Sequence, residues 1–101
     1  MSDPVIVALD GDIDLAVRDE VEERLADGVA RAAKGCGDLY VDLGGVTFID
    51  STGLACIVRA AASLDVHGRR VRLCSVPPIV LRLLELTGMS DLVVPEPDNG
   101  A

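Results

Sequence analysis

Three residues able to carry chemistry stand in a row: Asp50, Ser51 and Thr52, between Phe48-Ile49 and Gly53-Leu54. A carboxylate followed by two hydroxyls has two uses. It can cap a helix, because first-turn N–H groups have no partner within the helix and these side chains accept from them. It can also present a hydroxyl at a surface junction for chemistry done by another protein, such as in-line attack on a γ-phosphate. Both uses require a junction where an extended segment turns into a helix. The flanking residues supply one. Leu39-Tyr40-Val41-Asp42-Leu43 alternates with period 2, as a half-buried strand does. Gly44-Gly45 and the short apolar Val46-Thr47-Phe48-Ile49 then lead into Asp50. Beyond the triplet, Leu54, Ile57, Val58, Ala61 and Leu64 recur at helical spacing, which predicts a helix from about Ser51 to His67.

Nothing beside Ser51 could activate it as an enzyme's own nucleophile. His67 is the single histidine and lies a helix away, and no glycine-rich phosphate loop is present. The chain therefore reads as a non-enzyme. His67 precedes Gly68 and reads as a helix C-terminal cap, since a metal site would need partners. Three cysteines without C-x-x-C spacing argue against a disulfide framework or a zinc site. Cys56 and Cys74 read as small hydrophobes, and Cys36, between two glycines, as an exposed thiol.

The formal net charge of -8 excludes ordinary nucleic-acid binding, which needs a basic surface to displace counterions. The charge is uneven. Residues 1–30 carry nine acids against Arg18 and Arg24, whereas Arg59, Arg69, Arg70, Arg72 and Arg82 have only Asp65 among them. Such asymmetry can steer a protein partner, or be plain solvated surface. No apolar run reaches the length of a membrane span and the N-terminus lacks a signal-peptide pattern, so a cytoplasmic protein without membrane insertion is expected. The charge favours solubility, and a monomer or weak dimer is the expected state.

The remaining elements follow in order. Val5 to Leu9 reads as a strand ending in the turn signal Asp10-Gly11-Asp12. Val17, Val21, Leu25, Val29 and Ala32 form the apolar stripe of a helix that Asp14 can cap and Lys34-Gly35 can end. Val71 and Leu73 alternate with Arg70 and Arg72 in a strand. Pro77-Pro78 opens a third helix with Ile79, Leu83 and Leu86 on its stripe, and Gly88 closes it. Leu92-Val93-Val94 reads as a last short strand, and residues 95–101 as a loose tail. The order β-α-β-α-β-α-β in 101 residues predicts one α/β domain, with a mostly parallel sheet of about four strands and three main helices. Its core spans about residues 5–94 and is built from Val, Leu, Ile and Ala, since Tyr40 and Phe48 are the only aromatic residues.

Taken together, Gly11-Asp12-Ile13-Asp14, Val41-Asp42-Leu43, Val46 through Leu54 and Leu86-Thr87-Gly88 resemble the STAS domain family. The likeness is greatest to its bacterial anti-sigma factor antagonists and runs from about Val5 to Val94. It implies a small sheet wound with helices. It also implies that Ser51, which matches the family's serine after the motif aspartate, is phosphorylated by an anti-sigma factor that doubles as a serine kinase using Mg-ATP. Thr52 is the lesser alternative. By the same resemblance the unphosphorylated chain binds the anti-sigma factor and frees the sigma factor. Phosphorylation ends binding, and a metal-dependent serine phosphatase restores it; the chain itself needs no cofactor. Asp50 then serves as cap and kinase contact, Gly53 lets a partner approach, and Asp12 and Asp14 fix the first turn with partner contact as a further role. The alternative implied by the family is a scaffold subunit of a stress-signalling assembly or membrane transporter complex. Many members carry a strand before the Gly-Asp turn strand and a helix after the last one. Only Met1 to Pro4 and Glu96 to Ala101 stand in those places here, so an open sheet edge is expected.

Overall fold

Strand alternation and helix faces converge on one apolar interior, although the third helix turns Val80 and Leu84 to it rather than the Ile79 and Leu86 of its expected stripe. The structure, a computed structural model, describes residues 4–35 and 37–94. The expectations for Cys36 and for the tail at 95–101 lie outside the described residues. Strand β1 (Val5–Ile13) leads through a short 3-10 turn, Leu15–Val17, into helix α1 (Arg18–Lys34). Strand β2 (Leu39–Ile49) runs into α2 (Ser51–Asp65), and β3 (Val71–Cys74) precedes α3 (Pro78–Leu86) and a second 3-10 turn, Ser90–Leu92. The sheet is wholly parallel in the order β1-β2-β3. Val7, Leu9 and Ile13 of β1, Leu39, Val41 and Leu43 of β2, and Val71 and Leu73 of β3 turn to the helices. There they meet Val21 and Leu25 of α1, Ile57 and Leu64 of α2, and Val80 and Leu84 of α3 in a single core. No polar side chain is buried among the described residues.

The α/β class, the three helices and the parallel sheet follow the expectation; the strand count does not. Among the described residues three strands form, and Leu92-Val93-Val94 contributes one bridge, Leu73 to Val93, with Leu92 still in a 3-10 turn. The Val94 N–H donates to the Leu73 carbonyl at 2.8 Å, so the segment lies along β3 without extending its ladder. Two breaks read from glycines are also absent. Asp10-Gly11-Asp12 does not end β1: Gly11 takes a φ of +71° and the pairing with β2 shifts register on either side, so the strand bends and continues to Ile13. Gly44-Gly45 likewise lies within β2, where a Cβ on Gly45 would stand 2.9 Å from the Asp10 Cβ of the neighbouring strand. Gly45 is thus a position of close approach and Gly11 one of positive φ, both of which glycine serves inside a strand. Helix α2 ends at Asp65, two residues before the expected limit, and His67 contributes its backbone N–H to the Leu64 carbonyl at 2.9 Å. Gly68, at a φ of +69°, completes that turn. Among the described residues β1 forms one edge of the sheet.

One ion pair clips the start of β2 to β3. Asp38 accepts from Arg72 Nε at 2.7 Å and from the Arg70 backbone N–H at 2.9 Å. The Arg72 hydrogen bond holds the Asp38 carboxyl below its ordinary value of 3.8, with burial opposing. A carboxyl depressed by folding stabilises the fold fully above its unfolded pKa and ceases to do so as pH falls through the folded one. Asp38→Asn is expected to lower stability by about 1 kcal/mol at neutral pH, the pair being partly solvated. The difference from the parent closes in more acid solution, below 3.8. Urea unfolding at pH 7 and pH 3 checks it, and a gap unchanged between the two would contradict the assignment.

Candidate functional site

The parallel register gathers the sequence-selected residues at one end of the sheet. Asp12 pairs with Phe48 and Ile13 with Ile49 at the carboxyl ends of β1 and β2, so the residues leaving these strands start side by side. The carboxyl end of a parallel sheet is where open α/β folds place their sites. Asp14 and Asp50 each follow one strand and each caps what comes next. Asp14 Oδ1 accepts from the Ala16 N–H at 3.0 Å. Asp50 Oδ1 accepts from the N–H groups of Thr52, at 2.9 Å, and Gly53, at 3.1 Å. The Asp50 backbone N–H donates to the Ile13 carbonyl at 3.2 Å, which ties the start of α2 to the end of β1.

Asp50 is therefore the cap, and Ser51 is the first residue of α2, exposed to solvent. Thr52 is partly buried and gives its N–H to Asp50 rather than capping. Asp12 does not cap the first turn. It is exposed near the end of β1 and accepts from Thr47 Oγ1 of β2 at 2.6 Å. A side chain facing a neighbouring strand of parallel register meets that strand's residues before it meets the following turn. Gly53 is buried, and a Cβ there would lie 2.6 Å from Ile13 Cγ2 and 2.7 Å from Ile49 Cγ1. The close approach at Gly53 is made by the chain's own core.

This geometry sets the electrostatics at the helix start. A helix start favours an anion through its free N–H groups and its dipole. Here Thr52 and Gly53 already give their N–H groups to Asp50, and the Leu54 N–H is held by the Asp50 carbonyl at 3.0 Å. A phosphoryl group on Ser51 would meet the dipole, about 0.3–1 kcal/mol, and the N–H of its own residue, with the adjacent Asp50 carboxylate against it. It would stay in solvent and leave the cap as it is.

Sequence reasoning missed the surface next to Ser51. An apolar groove of about 400 Å³ runs between the start of α2 and α3, and Ser51 and Asp50 belong to its lining. Its other walls come from segments far apart in the chain, among them Phe48 and Leu86, so spacing could not have joined them. No sequence signal was available, since Leu86 reads as part of the apolar stripe of α3 and only the structure shows it exposed. Elsewhere, burial and the neighbouring Glu22 push the Cys56 thiol up, which suits the small hydrophobe expected there. Among the described residues no group of three His, Cys, Asp or Glu could hold a metal ion, and no helix is long and apolar enough to cross a membrane.

The unit is a parallel α/β sheet with an exposed serine opening the helix that follows its central strand. The STAS domain model matches residues 2–99, and the chain belongs to that family. Among its relatives is the anti-sigma-B factor antagonist of Staphylococcus aureus, 32% identical over 87 residues, covering 86% of this chain and 78% of the relative. The unphosphorylated anti-sigma factor antagonist SpoIIAA superposes with a TM-score of 0.77 at 15% identity, over 97% of this chain and 84% of that one. The phosphorylated form of the Bacillus cell fate determinant SpoIIAA gives 0.70 at 13%, over 96% and 86%. A sulfate transporter family protein from Wolinella succinogenes gives 0.72 at 19%, over 89% and 75%. At these identities the structural likenesses establish the fold.

Proposed function

We propose that the chain is an anti-sigma factor antagonist whose binding is switched by phosphorylation of Ser51. The observation that carries the reading is an exposed hydroxyl on the first residue of α2, fixed by the Asp50 cap and the Asp50–Ile13 bond. A kinase needs such a hydroxyl, accessible and firmly placed. The names of the Staphylococcus relatives support the antagonist role, and the two solved forms of SpoIIAA support the phosphorylation. The partner is an anti-sigma factor with serine kinase activity, which consumes Mg-ATP, and a metal-dependent phosphatase reverses the mark. The chain itself performs no catalysis, and it works in the cytoplasm. Asp12, Asp14, Asp50 and Thr52 share the contact surface with the serine, while Gly53, buried against Ile13 and Ile49, supports the helix start from within.

The switch is local. Two unit charges about 4 Å apart repel by ~1 kcal/mol in water and ~4 kcal/mol near a protein surface. In solvent this roughly offsets the dipole's attraction, so phosphorylation leaves the fold intact. At a closed interface an uncompensated charge costs about 2–5 kcal/mol.

Incubation with the anti-sigma kinase and Mg-ATP, followed by intact and peptide mass analysis, tests the site. One phosphoryl group is expected on Ser51 and none on Ser51→Ala. Addition at Thr52 would move the site, and tight binding retained in ATP without any addition would favour the scaffold-subunit reading.

A further inference from the structure

Resting on that reading, we infer that the groove beside Ser51 seats an apolar segment of the anti-sigma factor that carries a carboxylate for Arg82. Three observations carry this. First, the groove walls include Phe48, Ile79 and Leu86, which remain 49%, 69% and 75% exposed. Ile49, Leu54 and Leu83 lie between them. Large apolar side chains gathered on one concave surface mark a contact site in a way that scattered ones do not.

Second, the groove is continuous with the serine, because Ser51 and Asp50 line it. A partner that reaches the Ser51 hydroxyl passes over these apolar walls. Third, Arg82 also lines the groove, is exposed, and has no ion pair or side-chain hydrogen bond among the described residues. A cation at an apolar groove of a chain with net charge -8 is complementary to an acidic group on the partner. The same arrangement gives phosphorylation its leverage. A dianion on Ser51 would stand in one groove with the incoming carboxylate and repel it, while adding charge to a surface that binding would dry.

The test uses the full chain and the purified anti-sigma kinases of the source organism, assayed singly by titration calorimetry without nucleotide. Leu86→Ala and Arg82→Ala are each expected to weaken binding by about tenfold or more, with Arg82→Lys recovering part of the loss. Val66→Ala, at an exposed apolar residue outside the groove, is expected to bind as the parent does. A photo-crosslinker, Leu86→p-benzoylphenylalanine, is expected to attach to a partner segment containing Asp or Glu among apolar residues.

If the parent and Ser51→Ala bind and Ser51→Asp does not, while Leu86→Ala and Arg82→Ala bind as the parent, the switch stands and the groove proposal falls. Crosslinking to a second copy of this chain, with self-association lost in Leu86→Ala, would also overturn it by making the groove a dimer surface. Absence of binding by the parent to every anti-sigma kinase would overturn both readings.

Discussion

Ser51→Asp is expected to lose about thirtyfold to several thousandfold in affinity for the anti-sigma factor while unfolding within about 0.5 kcal/mol of the parent. The two halves of this expectation have separate causes. Stability is preserved because Ser51 is exposed and its side chain holds no part of the cap: Asp50 holds the Thr52 and Gly53 N–H groups. An acid at the first helical position also suits the dipole. Affinity falls because the same charge, covered by a partner, loses its water, at about 2–5 kcal/mol where it is left uncompensated. Ser51→Ala removes the hydroxyl and adds no charge, so it is expected to bind in the presence of Mg-ATP when the parent no longer does. Calorimetric titration paired with circular dichroism melts measures both halves. A Ser51→Asp protein that loses helix content would contradict the interface argument, because lost binding would then report lost structure.

Gly53→Ala is expected to act in the opposite way, through stability. A Cβ at this position would lie 2.6 Å from Ile13 Cγ2, 2.7 Å from Ile49 Cγ1 and 3.1 Å from the Ile13 carbonyl oxygen. Ile13 and Ile49 are 2% and 3% exposed, so neither side chain has space to yield. The better helix propensity of alanine returns about 1 kcal/mol at most. Overpacking of a tight core costs roughly 1–3 kcal/mol, and the carbonyl that would be pushed is the one accepting the Asp50 N–H. A net loss of about 1–2 kcal/mol is expected by urea unfolding. The displaced helix start is expected also to slow phosphorylation of Ser51. An alanine variant as stable as the parent would show that the strand ends and α2 can separate freely.

The serine was legible in the sequence because its surroundings are local. A strand ending at Ile49, a capping aspartate and a helical stripe from Leu54 are all read within a short stretch; burial keeps Leu54, Ile57 and Leu64 of that stripe but replaces Val58 with Cys56 and Ala60. Glycines misled where they serve a bend within a strand, as Gly11 does, or packing between strands, as Gly45 does. Gly11 and Gly45 look like breaks in one dimension, whereas Gly45 faces the Asp10 Cβ of the adjacent strand. The roles of Asp12 and Gly53 were misread for a related reason. Thr47, the partner of Asp12, and Ile13, the neighbour of Gly53, are each more than thirty residues away along the chain and adjacent only through the parallel register. The last strand was over-read because Leu92-Val93-Val94 has the composition of a strand, while the 3-10 turn before it leaves room for one bridge. The groove is the extreme case, since α3 supplies one wall and the start of α2 the other.

The most direct measurement of the central claim is release of a sigma factor. A fluorescent sigma factor bound to its anti-sigma kinase is titrated with this chain, either unphosphorylated or carrying phosphate at Ser51, and anisotropy reports the free sigma factor. A phosphorylation switch at Ser51 gives stoichiometric release by the unphosphorylated chain and by Ser51→Ala, and none by the phosphorylated chain or Ser51→Asp. Equal release by the phosphorylated and unphosphorylated chains, or release by neither, would contradict it.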